Sequence, residues 1–499
     1  MFSAFVNCFK IPELRQRIIF TLTMLVVVRL GAAIPVPGIN PVVLGDYFAT
    51  MVNPTKEGNI YQMVNLFSGG AFKNCAIFSL TIMPYISASI IMQLATGVIP
   101  SLSKLAREEG GRQKITQITR VGTLVLCLVQ GSFLATAFLN PIQLFPGIQE
   151  SIAKHGPLVV GNEGLFVFTT IITLTAGTML LMWLGEQITD RGIGNGISLI
   201  ITVGIVAELP SALVAGWQAF DPGAVAAGGQ GIGPVVVVLL IAFLFAVVAG
   251  AVAITQALRK IPVQYARQVR GNKVYGGQNS YLPLKVNYAG VMPIIFASMI
   301  FVFLGTMTTF VFKNSEGASR FVSALNDGTL YYIVYGGMVF FFSYFWVAMV
   351  FNPTQIADDM KRNGGFVPGV RPGDPTARFL DTSMTRLTFA GAGFLTILAI
   401  LPMMVSRMLE VPMITAQFFG GTGLLIIVGV MLDTMRQMET HLLQRHYDGF
   451  LKKGKIRGRS SMGPTGGAAT DTGDKTVWLI ALVAVIIIGG VVASIIRSS

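Results

Sequence analysis

The chain has 499 residues, of which 53% are apolar and only 12% charged, about half the charged share of a soluble globular protein. Thirty-six lysines and arginines against 23 aspartates and glutamates leave a net charge of +13. So few charges cannot cover a water-soluble body of this size. The chain is therefore read as a multi-spanning membrane protein whose basic excess faces an anionic leaflet or a polyanion.

Crossing a bilayer takes about 20 predominantly apolar residues. In chain order, such runs lie at 18–36, 74–97, 116–138, 164–184, 195–213, 234–257, 287–312, 329–351, 387–405, 411–433 and 476–496. The first follows Lys10, Arg15 and Arg17 and precedes Gly31-Ala-Ala, as a signal peptide would, but ten further spans favour an uncleaved helix. The second holds Pro84, which is expected to kink it. The fifth is short and lies between the glycines at 192, 194 and 196 and Glu208-Leu-Pro.

Eleven crossings fix the orientation through the positive-inside rule. With a cytoplasmic N-terminus, 28 lysines and arginines fall in inner segments and 7 in outer ones, Arg29 lying within the first span. The C-terminus is then outside. Two inner loops exceed what topology needs. Segment 258–286 carries six cations and no acid, and segment 352–386 carries five cations and three prolines after its opening Asn-Pro. Each is long enough to dock a partner. Segment 455–475 is rich in Gly, Ser and Thr and reads as a flexible linker.

The spans hold almost no ionisable residue at mid-depth, the usual mark of an ion site, proton relay or solute site. A solute transporter, the alternative reading, lacks its binding constellation. Cys8, Cys75 and Cys127 are too scattered for a disulfide or metal framework. No HExxH, P-loop, GxGxxG or GxSxG motif is present, so no enzyme, cofactor or metal is expected. An apolar constriction can nevertheless gate a pore by excluding water. Ile82 and Ile86 are four residues apart, as are Ile197 and Ile201, so each pair lies on one helix face. Tyr61–Leu66 is amphipathic, lies outside before the second span, and leads into Phe67-Ser-Gly-Gly-Ala-Phe72.

The strings RLGAAIPVPGIN (29–40), NLFSGGAF (65–72), IMPYISASIIMQL (82–94), GRQKITQITRVGTLVL (111–126), LTAGTMLLMWLGEQITDRGIGNGISLII (174–201), LPLKVNYAGVMPIIFAS (282–298), ADDMKRNGGFVPGVRPG (357–373) and FFGGTGLLIIVGVMLD (418–433) run in order along residues 10–450. With them the chain resembles the SecY family, the pore subunits of the bacterial protein-export channel.

The resemblance implies an all-α polytopic fold, a ten-helix clamshell of two inverted five-helix halves, plus one additional C-terminal helix. Residues 1–213 form the N-terminal half, 214–450 the C-terminal half, 451–475 a linker and 476–499 the extra helix. It implies a pore ring of Ile82, Ile86, Ile197, Ile201, Ile295 and Ile426. Segment 61–72 becomes a plug, with Asn65, Leu66, Phe67, Ser68, Gly69 and Gly70. A lateral gate between spans two and three and spans seven and eight carries Gln93, Gln130 and Asn287. Arg270, Lys273 and Arg371 are docking residues for cytosolic partners; where relatives often pair two cations, this loop has Asn272-Lys273. The implied partners are the small subunits SecE and SecG, the motor ATPase SecA, the ribosome, signal peptides with unfolded preproteins, and membrane lipids. The implied location is the bacterial inner membrane.

Overall fold

The computed structural model describes residues 11–50, 65, 68–108, 110–141, 148–218, 220, 234–265, 268–270, 273–275, 279–298, 300, 329–409, 411, 415–416, 418 and 421–452. The eleventh apolar run and the linker before it lie outside these residues, as does 301–328.

Helix α1 (Pro12–Gly31) starts on a proline, whose missing N–H costs nothing in a first turn. It buries Leu14, Thr21, Leu25 and Val28 on one stripe, the 3.6-residue period of a one-sided helix. A short α2 (Pro41–Thr50) follows. The run at 74–97 then departs from the expectation of one kinked span. Residues 69–82 form successive turns, and α3 (Met83–Val98) begins only at its proline. Pro84 therefore starts a helix instead of bending one. The turns are built on left-handed backbone at Gly69 (φ 61°), Gly70 (85°), Cys75 (44°) and Thr81 (55°).

After α3 the chain bends by 104° into α4 (Pro100–Arg107). Helix α5 (Gly111–Leu139) runs back, and the short α6 (Gln149–His155) precedes α7 (Glu163–Arg191). Asn162 caps α7, its side chain accepting from Gly164 N. Arg120 on α5 and Glu186 on α7 join in a two-pronged pair, Nε to Oε1 at 3.1 Å and Nη2 to Oε2 at 2.7 Å. Asn195 caps α8 (Gly196–Ala207) by accepting from Ile197 N and Ser198 N. Glu208 ends α8, and α9 (Leu209–Gln218) follows at once, the stretch Gly196–Val214 counting as one span.

The loop between α7 and α8 is held from both parts of the chain. Ile193 N donates to Thr21 Oγ1 on α1 at 3.1 Å, and Gly194 N donates to Gln437 Oε1 at 3.0 Å. Gln437 lies on α14 (Thr422–Lys452). Between these come α10 (Pro234–Gln256), α11 (Thr329–Val350), α12 (Pro353–Arg362) and α13 (Asp374–Leu409). Phe243 and Val247, Tyr335 and Val339, Leu395 and Leu398, and Leu424 and Leu425 form one core among α10, α11, α13 and α14.

The basic segment 258–286 contains strands, which its cations and prolines did not suggest. Strand β1 (Leu258–Tyr265) pairs antiparallel with β4 (Asn279–Lys285), Leu258 opposite Lys285 and Gln264 opposite Asn279. Between them β2 (Gln268–Arg270) pairs with β3 (Lys273–Tyr275). The second basic loop adds β5 (Gly365–Phe366) to the other edge of β1, giving the order β4-β1-β5. Ile261 and Val263 alternate inward, with the period of two that a one-sided strand requires. They pack with Val347, Phe351, Met360, Val367 and Leu380, so the sheet is seated on α11, α12 and the start of α13.

Six described helical stretches are long and apolar enough to cross a membrane, or seven counting the bent α3–α4 pair. Inside this bundle α7 touches the turns of 69–82 through Gly177. A methyl there would collide with the backbone oxygen of Ile77. Gly177→Ala is expected to destabilise the protein by about 1–3 kcal/mol, the usual cost of overpacking. A lower midpoint of thermal unfolding in detergent is the readout.

Candidate functional site, an apolar throat under a glycine turn

All six isoleucines named from the sequence meet. Ile82, Ile86, Ile201, Ile295 and Ile426 are buried in one cluster, at 1, 5, 8, 4 and 2% exposure, and the half-buried Ile197 packs against it. Four separate stretches deliver them. Ile82 is the N-cap of α3, and Ile86 N donates to its carbonyl at 3.1 Å, so the two remain one turn apart. Ile197 and Ile201 come from α8, Ile295 from the helical turns at 292–298, and Ile426 from α14. None of these side chains has a hydrogen-bonding group, so water in the closure would find no partner. Ile200, Ile205, Phe78, Leu181 and Val430 belong to the same cluster. The sequence reading missed Phe78 because its segment passed for the start of a helix.

The turns of 68–82 sit on this cluster. Ser68 Oγ donates to Asn65 O at 2.9 Å and accepts from Phe72 N at 3.1 Å. Asn65 Oδ1 accepts from Lys73 N at 3.0 Å. Asn65 and Ser68 are buried, while Leu66 and Phe67 lie outside the described residues. Ile77 N donates to Ile34 O and Val36 N to Cys75 O, each at 2.9 Å, tying the turns to the chain just after α1. Arg29 Nη1 donates to Gly69 O at 2.8 Å. Gly69 also lies against α8, where a methyl would be 2.5 Å from the Cα of Gly204. Only a residue without a side chain fits that contact and that φ.

A cavity of ≈ 30 Å³ separates turn and throat, lined by Arg29, Ser68, Thr81, Ile82, Ile201 and Ile295. It has room for about two water molecules. Arg29 had counted in the sequence as a charge near a span end; the structure makes it the polar contact between α1 and the turn.

Of the three polar residues read as a lateral gate, Gln93 and Asn287 make their own local contacts. Gln93 is exposed and bonds within its own helix, Nε2 to Ser89 Oγ at 3.3 Å. Asn287 Nδ2 donates to Gly290 O at 3.1 Å, and Gln130 is half-buried on α5. Among the described residues no hydrogen bond links the three. What bridges α3 and α11 is apolar, with Gly97 against Met349, whose Cε would be 2.8 Å from an added methyl.

Of the residues expected to dock cytosolic partners, Arg371 is exposed in a turn with Gly369 at φ 82° and Gly373 at 99°. Val367 is buried in the sheet's core, and Thr376 Oγ1 donates to the Arg371 carbonyl at 2.8 Å. Those anchors hold the turn while the cation projects. Arg270 and Lys273 stand opposite each other at the end of the β2–β3 ladder.

A bundle of apolar helices meeting in one apolar cluster, with charges sparse among its described spans, is the architecture of a polytopic membrane channel. The chain belongs to the SecY family of protein translocase subunits. The SecY family model matches residues 76–435. The SecY subunit of Chlamydia trachomatis is 44% identical over 454 residues, covering 90% of this chain and 98% of that one. That of Escherichia coli is 43% identical over 452 residues, covering 89% and 96%. Among solved structures, a protein-conducting channel superposes with a TM-score of 0.57 at 17% identity, covering 87% of this chain and 94% of the other. Sec61 from a canine ribosome–channel complex gives 0.56 at 18%, with the same coverage. The ten-helix clamshell is therefore the fold, and the chain is a protein-conducting channel subunit, not an enzyme.

Gly69→Ala forces a left-handed residue to carry a methyl, costing about 1–2 kcal/mol, and drives that methyl into α8. Resting ion leakage in planar bilayers is expected to rise about tenfold, the factor that 1.4 kcal/mol makes in an equilibrium.

Proposed function

We propose that unfolded polypeptide passes through the isoleucine throat, that segment 61–72 is the plug that seals it at rest, and that apolar segments leave sideways into lipid. The side exit lies between spans two and three and spans seven and eight. The observation that carries this reading is the convergence of all six isoleucines beneath a turn whose glycine pair meets α1 through a guanidinium hydrogen bond. A passage for every side chain must bind none of them. Isoleucine contacts exclude water yet offer no polar grip.

The two halves, 1–213 and 214–450, act as jaws. The loop at 192–196, bonded to α1 on one side and α14 on the other, joins them. Segment 451–475, a linker by composition, and the apolar run within 476–499 are an appendage to that body. The membrane is the bacterial inner membrane, with the N-terminus and both basic loops in the cytoplasm, as the Lys and Arg distribution requires. SecE and SecG are the small membrane partners. Force comes from the motor SecA or from a ribosome, which the anchored Arg371 turn and the β2–β3 hairpin meet. Signal peptides, with apolar stretches of about 7–15 residues, are what the side exit accepts.

Replacing Ile82 and Ile201 together by Ser places hydroxyls in the closure and wets it. Single-channel recording should show raised resting conductance and weaker discrimination against defective signal sequences; a seal as tight as the parent's would sink the ring. Arg371→Glu reverses the presented charge without touching the buried Val367. Motor-driven export in vesicles should fall at least about tenfold, as when a charge-assisted bond is lost, while the channel still inserts.

A further inference from the structure

Two ionisable groups flank the glycine pair of the turn. On one side is Arg29, whose Nη1 bonds Gly69 O at 2.8 Å and would lie 2.7 Å from a methyl on Gly69. On the other is Glu208, whose Oε1 would lie 2.6 Å from a methyl on Gly70. Glu208 is 9% exposed. Its Oε2 accepts from Ser211 Oγ at 2.7 Å, leaving Oε1 aimed at the turn. The guanidinium and the carboxylate thus sit against adjacent residues, whose Cα atoms are about 3.8 Å apart. Among the described residues no ion pair joins them; the turn stands between.

A buried carboxylate and a half-buried guanidinium each carry a desolvation cost that falls when they meet. Arg29 in the resting channel spends its donor on a carbonyl of the very segment that must leave. Withdrawing Gly69 removes that acceptor and empties the space between two opposite charges on long side chains.

We propose that Arg29 and Glu208 form a two-position latch for the plug, a proposal that rests on reading 61–72 as the plug. At rest Arg29 holds Gly69 O and Glu208 borders Gly70. With the turn withdrawn, Arg29 and Glu208 close on each other, which offsets the broken hydrogen bond and delays reseating. Arg29 and Glu208 are positioning residues, and neither is part of the apolar seal.

Single-channel recording with a signal peptide in the bath separates the two positions. Glu208→Gln shortens the dwell of the open channel about tenfold, the weight of a bond between charged groups, and Glu208→Asp restores most of it. Arg29→Gln raises the frequency of resting openings and also shortens the dwell. In the double variant Arg29→Gln/Glu208→Gln the dwell is no shorter than in either single one, because one interaction has been removed once. Independent, multiplying effects, or an unchanged dwell in Glu208→Gln, overturn the latch. Deleting 62–70 tests the plug on its own. A deleted channel that leaks, beside an unchanged dwell in Glu208→Gln, leaves the plug standing and removes the latch. A deleted channel that stays tight removes both.

Discussion

The stretches at the centre of this molecule meet in one cluster of apolar side chains. Ile82, Ile86, Ile201, Ile295 and Ile426 exclude water by touching one another, and each atom pair contributes no more than about 0.1–0.2 kcal/mol. Such attraction is short-ranged, so the closure is tight when its supports are in register and vanishes when they part by a few ångströms. That places the demand on the supports. The ring members sit on four stretches, and those must be held from outside the ring. The loop bonds at Ile193 and Gly194 hold α8 against α1 and α14. The Arg120–Glu186 pair holds α5 against α7.

The surface away from the throat follows another logic. The two basic loops would be separate floppy segments if each closed on itself. Instead β5 of the second loop extends the sheet of the first, and the shared core reaches α11 and α13. A load on the Arg371 turn is therefore borne by a sheet and by two membrane helices together. The hydrogen bond from Thr376 to the Arg371 carbonyl keeps the turn from absorbing that load by bending.

Much of this was readable from residues alone, and the gaps have definite causes. Apolar runs located most spans because lipid demands length and hydrophobicity, and the family strings named six isoleucines that the fold gathers into one cluster. Residues 69–82 were misread because turns buried inside a bundle are as apolar as a helix. Only Gly69-Gly70 and Pro84 hinted otherwise, and Pro84 was taken for a kink when it was a start. The strands of 258–285 were hidden by their charges, since among the described residues it is Ile261, Val263 and Leu284, with Leu282 beside them, that form the inward face. Gln93 and Asn287 bond to Ser89 and Gly290 on their own stretches, which their polar character alone did not announce. Arg29 and Glu208 lay nearly 180 positions apart, and no local pattern announces that both border one glycine pair.

The seating of Gly69 on Gly204 has a consequence for what holds the turn. Most packed elements interlock, side chains of one filling hollows of the other, and separating them means lifting each out through strained rotamers. Here backbone lies on backbone at the closest approach. At that contact no side chain has to be lifted from a hollow, so what holds Gly69 in place is the Arg29 hydrogen bond and the backbone ties of the neighbouring turns to Ile34 and Val36.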